Sequence, residues 1–438
     1  MWQRTFGNDG PSDERAEWLR LLLVSGALSL MLATWRLWWP SADFPQIPWF
    51  RWACDVPLII DRLMLLILAG GLAAVFFTKP NAPANRWGLL IFATTASGLV
   101  ILNQHRTQPW MYQLILIALV LAWAPVRLAI PLLRLLTVGI YVYSGVSKLD
   151  LSFCQGLGHQ FWRTGISIAT GGKVVVGVFS YWPLLLPVGE IVVALLLSFP
   201  ASRRIGMWIA CAMHVALLVI LGPWGLNHQH GVLVWNVFFI VLNVILFARG
   251  KNAAGTIPEI LPVSQDKMGD LVAPDSKQRL GGILASILVG WAVIWPCFEP
   301  LGICDLWPAW GLYAEHGERV VVRVTESGAE KLPPNWRPYL ETRVSQFSES
   351  TDDRIVRADS AALRVLHAPV YPANRFLIGI ALGLAEESGL KRDEISIVWK
   401  SAANRRTGVR EERLLANLTE IEQAADRCWF NARPRTRK

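Results

Sequence analysis

Nine long apolar runs dominate this chain and leave few ways to fold it. They cover residues 19–39, 57–78, 86–102, 110–124, 127–147, 181–199, 204–222, 231–249 and 280–297. A membrane-crossing helix needs about 20 consecutive, mostly apolar residues, and the run at 110–124 is the shortest. Only helices or closed barrels satisfy every backbone polar group inside lipid, and continuous apolar runs are the helical pattern. Charged residues make up 17% of the 438-residue chain, well below the roughly 25% of soluble domains. Tryptophans gather at the ends of the runs (Trp35, Trp38, Trp110, Trp182, Trp224, Trp295), where amphipathic rings favour the membrane–water interface. The expected fold is mostly α: a polytopic membrane bundle of about nine spans over residues 1–300, then a small α+β soluble domain over 301–438.

Charge gives the bundle a direction. The first 298 residues hold 21 Lys+Arg against 13 Asp+Glu, whereas the remainder holds 21 against 20. The basic excess therefore belongs to the membrane part, which favours a topology signal and excludes a nucleic-acid-binding reading. With the N-terminus in the cytoplasm, twelve Lys and Arg fall in inner segments and five in outer loops. An odd number of spans then places the soluble domain outside the cytoplasm. Residues 1–19 are polar and the first run is long, so it reads as an uncleaved start signal. Residues 250–279 read as a linker and 148–180 as a long outer loop. In the soluble part, Glu318–Thr325 and Glu394–Lys400 read as strands; Phe376–Glu387 and Glu411–Asp426 read as helices.

This topology puts every cysteine except Cys211 at or beyond the outer surface, where disulfides persist. Cys297 or Cys304 is placed to pair with Cys54.

Ionisable groups within spans are costly and point to function or to structural pairing. Lys148 closes the fifth run in Tyr141-Val-Tyr-Ser-Gly-Val-Ser-Lys-Leu-Asp150. Tyr141, Ser144, Gly145 and Lys148 share one helical face, and Gly145 permits a close neighbour. Burial makes a lysine a usable base; the plainer alternative is a lysine snorkelling to headgroups. His105 lies in a short loop as a candidate proton carrier or donor. Glu190 and His214 lie inside spans, and either pairs with the other or with Arg134, Asn236 or Asn243. His228 and His230 have metal-ligand character but no evident third ligand. Walker, dinucleotide, Gly-x-Ser-x-Gly and His-Glu-x-x-His motifs are missing from the sequence.

Gly145-Val-Ser-Lys-Leu-Asp150, continuing Leu151-Ser-Phe-Cys-Gln-Gly156, resembles the HTTM family, the membrane domain of vitamin K-dependent gamma-carboxylases and their bacterial relatives. The resemblance implies a membrane enzyme that uses a reduced isoprenoid quinone and oxygen to generate a strong base. It implies Lys148 as the base that deprotonates the hydroquinone and His105, in Asn103-Gln-His105, as an assisting group. Tyr141, Tyr143, Gly145, Glu190 and His214 are then the candidate quinone-pocket residues. A carboxylase would take a secreted protein or peptide as substrate, alongside membrane lipid. Ser147 stands where the carboxylases carry a second lysine, and no segment matches their propeptide-binding region. Quinol chemistry is therefore better supported than glutamate carboxylation. DoxX-like membrane proteins carry a similar Ser-Gly-x-x-Lys ending; that assignment implies a non-enzymatic subunit or a small-solute carrier.

Overall fold

The computed structural model describes residues 11–40, 43–80, 82–174, 177, 181–248, 276–342 and 353–436. The proposed linker at 250–279 lies outside these up to residue 275. Twelve helices form the membrane part: α1 (Pro11–Ala33), α2 (Trp35–Trp38), α3 (Ile59–Phe77), α4 (Pro83–Leu102), α5 (Pro109–Trp123), α6 (Val126–Val146), α7 (Leu151–Gln155), α8 (Leu157–Thr170), α9 (Leu185–Ser198), α10 (Arg203–Leu221), α11 (His230–Phe247) and α12 (Ser276–Ile294).

Seven of them, α1, α3, α4, α6, α10, α11 and α12, are long and apolar enough to cross a membrane, marking a multi-pass membrane protein. Among the described residues the expected count of about nine is not reached, because two of the nine runs form shorter apolar helices. The runs at 110–124 and 181–199 form shorter apolar helices, α5 with 15 residues and α9 with 14. At 1.5 Å per residue each falls short of a 30 Å hydrocarbon core. Helix α5 tolerates this because nearly all of it is buried against other helices, including α1, α4, α6 and α12. Elsewhere the bundle is apolar outwards, with Leu66, Phe77, Trp208 and Ile287 more than half exposed, as suits contact with lipid. Helices α3 and α4 touch through Gly71 and Gly88, where an added Cβ would meet the facing carbonyl at about 3.0 and 2.8 Å.

The expected outer loop at 148–180 contains two helices. Asp150 caps α7 by accepting from Phe153 N at 2.7 Å, and α8 ends at Gly171, whose φ is +60°.

The C-terminal part is a five-stranded antiparallel sheet in the order β2-β3-β1-β4-β5. In chain order it runs β1 (Arg319–Thr325), α13 (Glu326–Lys331), β2 (Leu340–Thr342), β3 (Asp353–Val356), α14 (Ala358–Val365), α15 (Asn374–Ser388), β4 (Ile395–Lys400), β5 (Glu412–Leu415) and α16 (Leu418–Asp426). Three of its four expected elements match. The fourth, a helix over Glu411–Asp426, is corrected: residues 412–415 pair with β4, Leu415 opposite Ile397. The helix begins after Asn417, whose side chain accepts from Glu420 N, the usual capping geometry.

Helix α15 lies between the sheet and the loop of the bundle that carries Pro45 and Ile47. Its Gly379 and Gly383 face Ile47 and Pro45, and Phe376 packs its ring 5.1 Å from that of His105. The two parts therefore share one apolar core.

All six cysteines are free thiols, which corrects the expected disulfide. Cys54 faces the tail carbonyl of Arg433, whereas Cys297 lies 3.1 Å from the Tyr143 hydroxyl. The thiols expected to pair thus sit on separate contacts.

Candidate functional site

Helix α6 delivers Lys148 one residue past its C-cap. Lys148 is 5% exposed. Its Nζ donates to Ser144 Oγ, one turn back, at 3.0 Å and to Glu190 Oε1 on α9 at 2.7 Å. Gly145 permits this pairing: a Cβ there would meet Pro187 O at 2.8 Å and Ile191 Cγ1 at 2.7 Å. The ion pair thus depends on two backbones lying too close for any side chain. Asp150 does not compete for the lysine, because its carboxylate caps α7 and meets His316.

The dyad borders a cavity of about 550 Å³, enclosed by α6, α8, α9, α10 and α11 on one side and by the segments 306–314 and 363–372 on the other. Its walls are predominantly apolar and aromatic, with a few converging polar groups, the usual make-up of a small-molecule site. Glu190 Oε2 is shielded from water and has no hydrogen-bond partner among the described residues. A buried carboxylate oxygen without a donor is costly, and it belongs to a residue that lines the cavity.

Tyr141 and His214 also line the cavity, joined in a directed chain. Asn243 Nδ2 donates to Tyr141 Oη at 2.6 Å, and Tyr141 donates to His214 Nε2 at 2.7 Å. His214 Nδ1 then donates to Asn236 Oδ1 at 2.8 Å. An amide oxygen accepts only, so His214 carries a proton on Nδ1, and both of its ring nitrogens are occupied. The chain holds the wall in place and leaves no free lone pair on the ring. Of the partners considered from sequence, His214 takes Asn236, and Glu190 takes Lys148 instead of His214.

His105 stands one layer behind the cavity. It is fully buried, and Nε2 donates to the carbonyl of Pro369, a wall residue, at 2.8 Å. Burial, helped by the neighbouring Arg106 charge, pushes its pKa down to about 4, and the Pro369 hydrogen bond offsets this only in part. His105 is neutral at physiological pH and reaches the site through a backbone carbonyl.

Tyr143 is not a wall residue. Its hydroxyl donates to Val293 O at 2.6 Å on α12. His228 lines the cavity between the rings of Phe161 and Tyr313, while His230 opens α11 outside the lining. Among the described residues no group of three or more His, Cys, Asp or Glu is close enough for a metal ion.

Two charge clusters escaped the sequence reading. Asp150 Oδ2 and Glu299 Oε1 flank His316 at 3.2 and 2.8 Å, and Arg405 meets Glu299 at 3.1 Å and the Val146 carbonyl at 3.0 Å. This cluster ties the C-terminal part to the end of α6 beside Lys148. The second sets fully buried Asp61 against Arg106 and, at 2.6 Å, Arg435. Neither is visible from spacing, because the partners lie far apart along the chain. The hint was the expense of Asp61 inside the apolar run 57–78.

The chain matches no known family model, no curated protein and no solved structure. The chemistry of the cavity must therefore be argued from its own residues.

Proposed function

We propose that this chain is an integral membrane enzyme that binds a reduced isoprenoid quinone in this cavity and removes a ring-hydroxyl proton at the Lys148–Glu190 dyad. The resemblance to the HTTM domain of vitamin K-dependent carboxylases motivates the reading. The observation that carries it is Glu190, a residue lining an apolar cavity, which has an ammonium on one carboxylate oxygen and a buried, unpartnered acceptor in the other.

The residues fit such a ligand. Apolar and aromatic walls suit an isoprenoid ring, and the acceptor needs a hydroxyl donor. Glu190 Oε2 accepts the ring O–H and then its proton. Lys148, released from a full carboxylate charge, turns its ammonium toward the oxyanion left behind. The His214–Tyr141 chain holds the wall, and His105 secures Pro369. The Lys148–Glu190 pair is largely shielded from water, which strengthens its electrostatics. A quinol so activated supplies, with oxygen, a base strong enough to take the γ proton of a glutamate side chain, to which carbon dioxide adds, with quinone epoxide as by-product. A carboxylate that only accepts favours the reduced ligand, since the oxidised ring offers it no donor.

The same reading has the N-terminus in the cytoplasm, the C-terminal domain outside it, and a secreted protein or peptide as the partner substrate.

Lipids extracted from the purified chain should contain isoprenoid quinone, and quinol-dependent oxygen uptake should fall at least a hundredfold in Lys148→Ala and Glu190→Gln. Full uptake in both variants would sink the dyad. Mass spectrometry for carboxyglutamate in co-expressed secreted proteins tests the carboxylation step itself.

A further inference from the structure

Four non-glycine residues among those described have positive φ: Asn227 (48°), Trp310 (59°), Tyr313 (59°) and His367 (56°). Such a conformation is strained for a residue with a side chain and persists only where surrounding structure enforces it. Asn227, Tyr313 and His367 all line the cavity. The fourth, Trp310, is fully buried, donates Nε1 to Ala292 O at 3.3 Å and stacks on Tyr112 at 4.9 Å. It pins the segment that carries Tyr313. The Tyr313 ring is then held edge-on to Phe161 at 5.2 Å and to His228 at 6.0 Å. Its hydroxyl is shielded and has no hydrogen-bond partner among the described residues. Burial raises its pKa further, so the proton stays on.

We infer that Tyr313 is the second hydroxyl-binding residue of the cavity, holding the ring oxygen opposite the one bound by Glu190. The inference rests on the quinol reading and deepens it. The two cavity-lining residues that carry a shielded, unpartnered oxygen stand on separate walls, Glu190 on α9 and Tyr313 on the segment after α12. A carboxylate only accepts, whereas a phenol both donates and accepts. Together they match a para-dihydroxy aromatic ring, with the proton-yielding oxygen at Glu190 and the other at Tyr313. A lipid with a single hydroxyl leaves one of them unsatisfied.

The test is equilibrium binding to the full chain in nanodiscs, with two tritiated probes bearing the same short isoprenoid tail. One is a para-hydroquinone; the other is the phenol that keeps a single ring hydroxyl. Tyr313→Phe should weaken the hydroquinone about tenfold and leave the phenol unchanged. Its unfolding temperature should not fall, because the hydroxyl has no partner to lose. Equal hydroquinone binding by Tyr313→Phe and wild type overturns the inference; if Glu190→Gln still weakens that binding, the quinol reading survives. Equal weakening of both probes shows that Tyr313 acts through packing and also overturns it. If neither probe binds wild type, the reading and the inference fall together.

Discussion

Lys148 Nζ stands 2.7 Å from Glu190 Oε1, with only 6% and 13% of the two side chains exposed. Removing one partner of a buried pair strands the other, at a cost of about 3–5 kcal/mol, whereas replacing both with apolar groups is far milder. Lys148→Met and Glu190→Leu should therefore each destabilise the bundle strongly, and the double variant less than the sum of the two. Thermal unfolding in nanodiscs measures the cycle. Simple additivity would mean that the two charges do not interact.

The two tyrosines of α6 should separate cleanly. Tyr141→Phe strands the acceptor on His214 and a donor on Asn243, costing about 1–3 kcal/mol, and it should also weaken quinol binding. Tyr143→Phe loses the bond to Val293 O and the weaker contact with Cys297 Sγ, about 1 kcal/mol, and should leave quinol affinity at the wild-type value. A binding defect in the Tyr143 variant would place that ring in the site after all.

His316 gives the interface a pH dependence. Burial opposes its charge, but hydrogen bonds to Asp150 and Glu299 outweigh it and raise the pKa above the ordinary 6.5, with Arg405 opposing. Glu315 and Arg410 flank the cluster. A raised folded-state pKa means that the stabilisation is complete below about 6.5. It is lost as pH rises through the higher folded value. The melting-temperature gap between wild type and His316→Gln should be widest at mildly acidic pH and close towards alkaline pH. A gap that widens with pH would show that the imidazole is bound neutral.

The direction of insertion is open to direct reading. Trp429 is 94% exposed. In a background carrying Cys297→Ser, a membrane-impermeant maleimide should label Trp429→Cys in intact cells. Labelling only after the cells are permeabilised would place the C-terminal domain in the cytoplasm.

Much of the helical architecture was legible because lipid imposes a length and a composition on each span. The two short helices were not, since α5 is enclosed by protein and the lipid rule does not apply to it. At the site, periodicity placed Tyr141, Ser144, Gly145 and Lys148 on one face, and the structure agrees. The same arithmetic argued against Tyr143: at about 100° per residue it points some 200° away from Tyr141, toward α12. The Lys148–Glu190 pair was beyond sequence reach, because nothing local records which helix packs against Gly145. Residues 412–415 misled because a short edge strand continuous with an amphipathic helix shares its polar pattern, although Asn417 and Glu420 offered a capping signal.

Asp61 enters the bundle early in synthesis, yet one of its two guanidinium partners, Arg435, is made only after the whole sheet domain. Until then a buried carboxylate has Arg106 alone. Asp61→Ala should be the more damaging substitution, because it strands two cations, while Arg435→Ala leaves the Arg106 pair intact; the yield of folded protein after detergent extraction ranks them. A chain stalled or clipped before Arg435 would carry an unfinished ion cluster at the mouth of α3, so closing this corner of the bundle waits on a segment beyond the sheet domain.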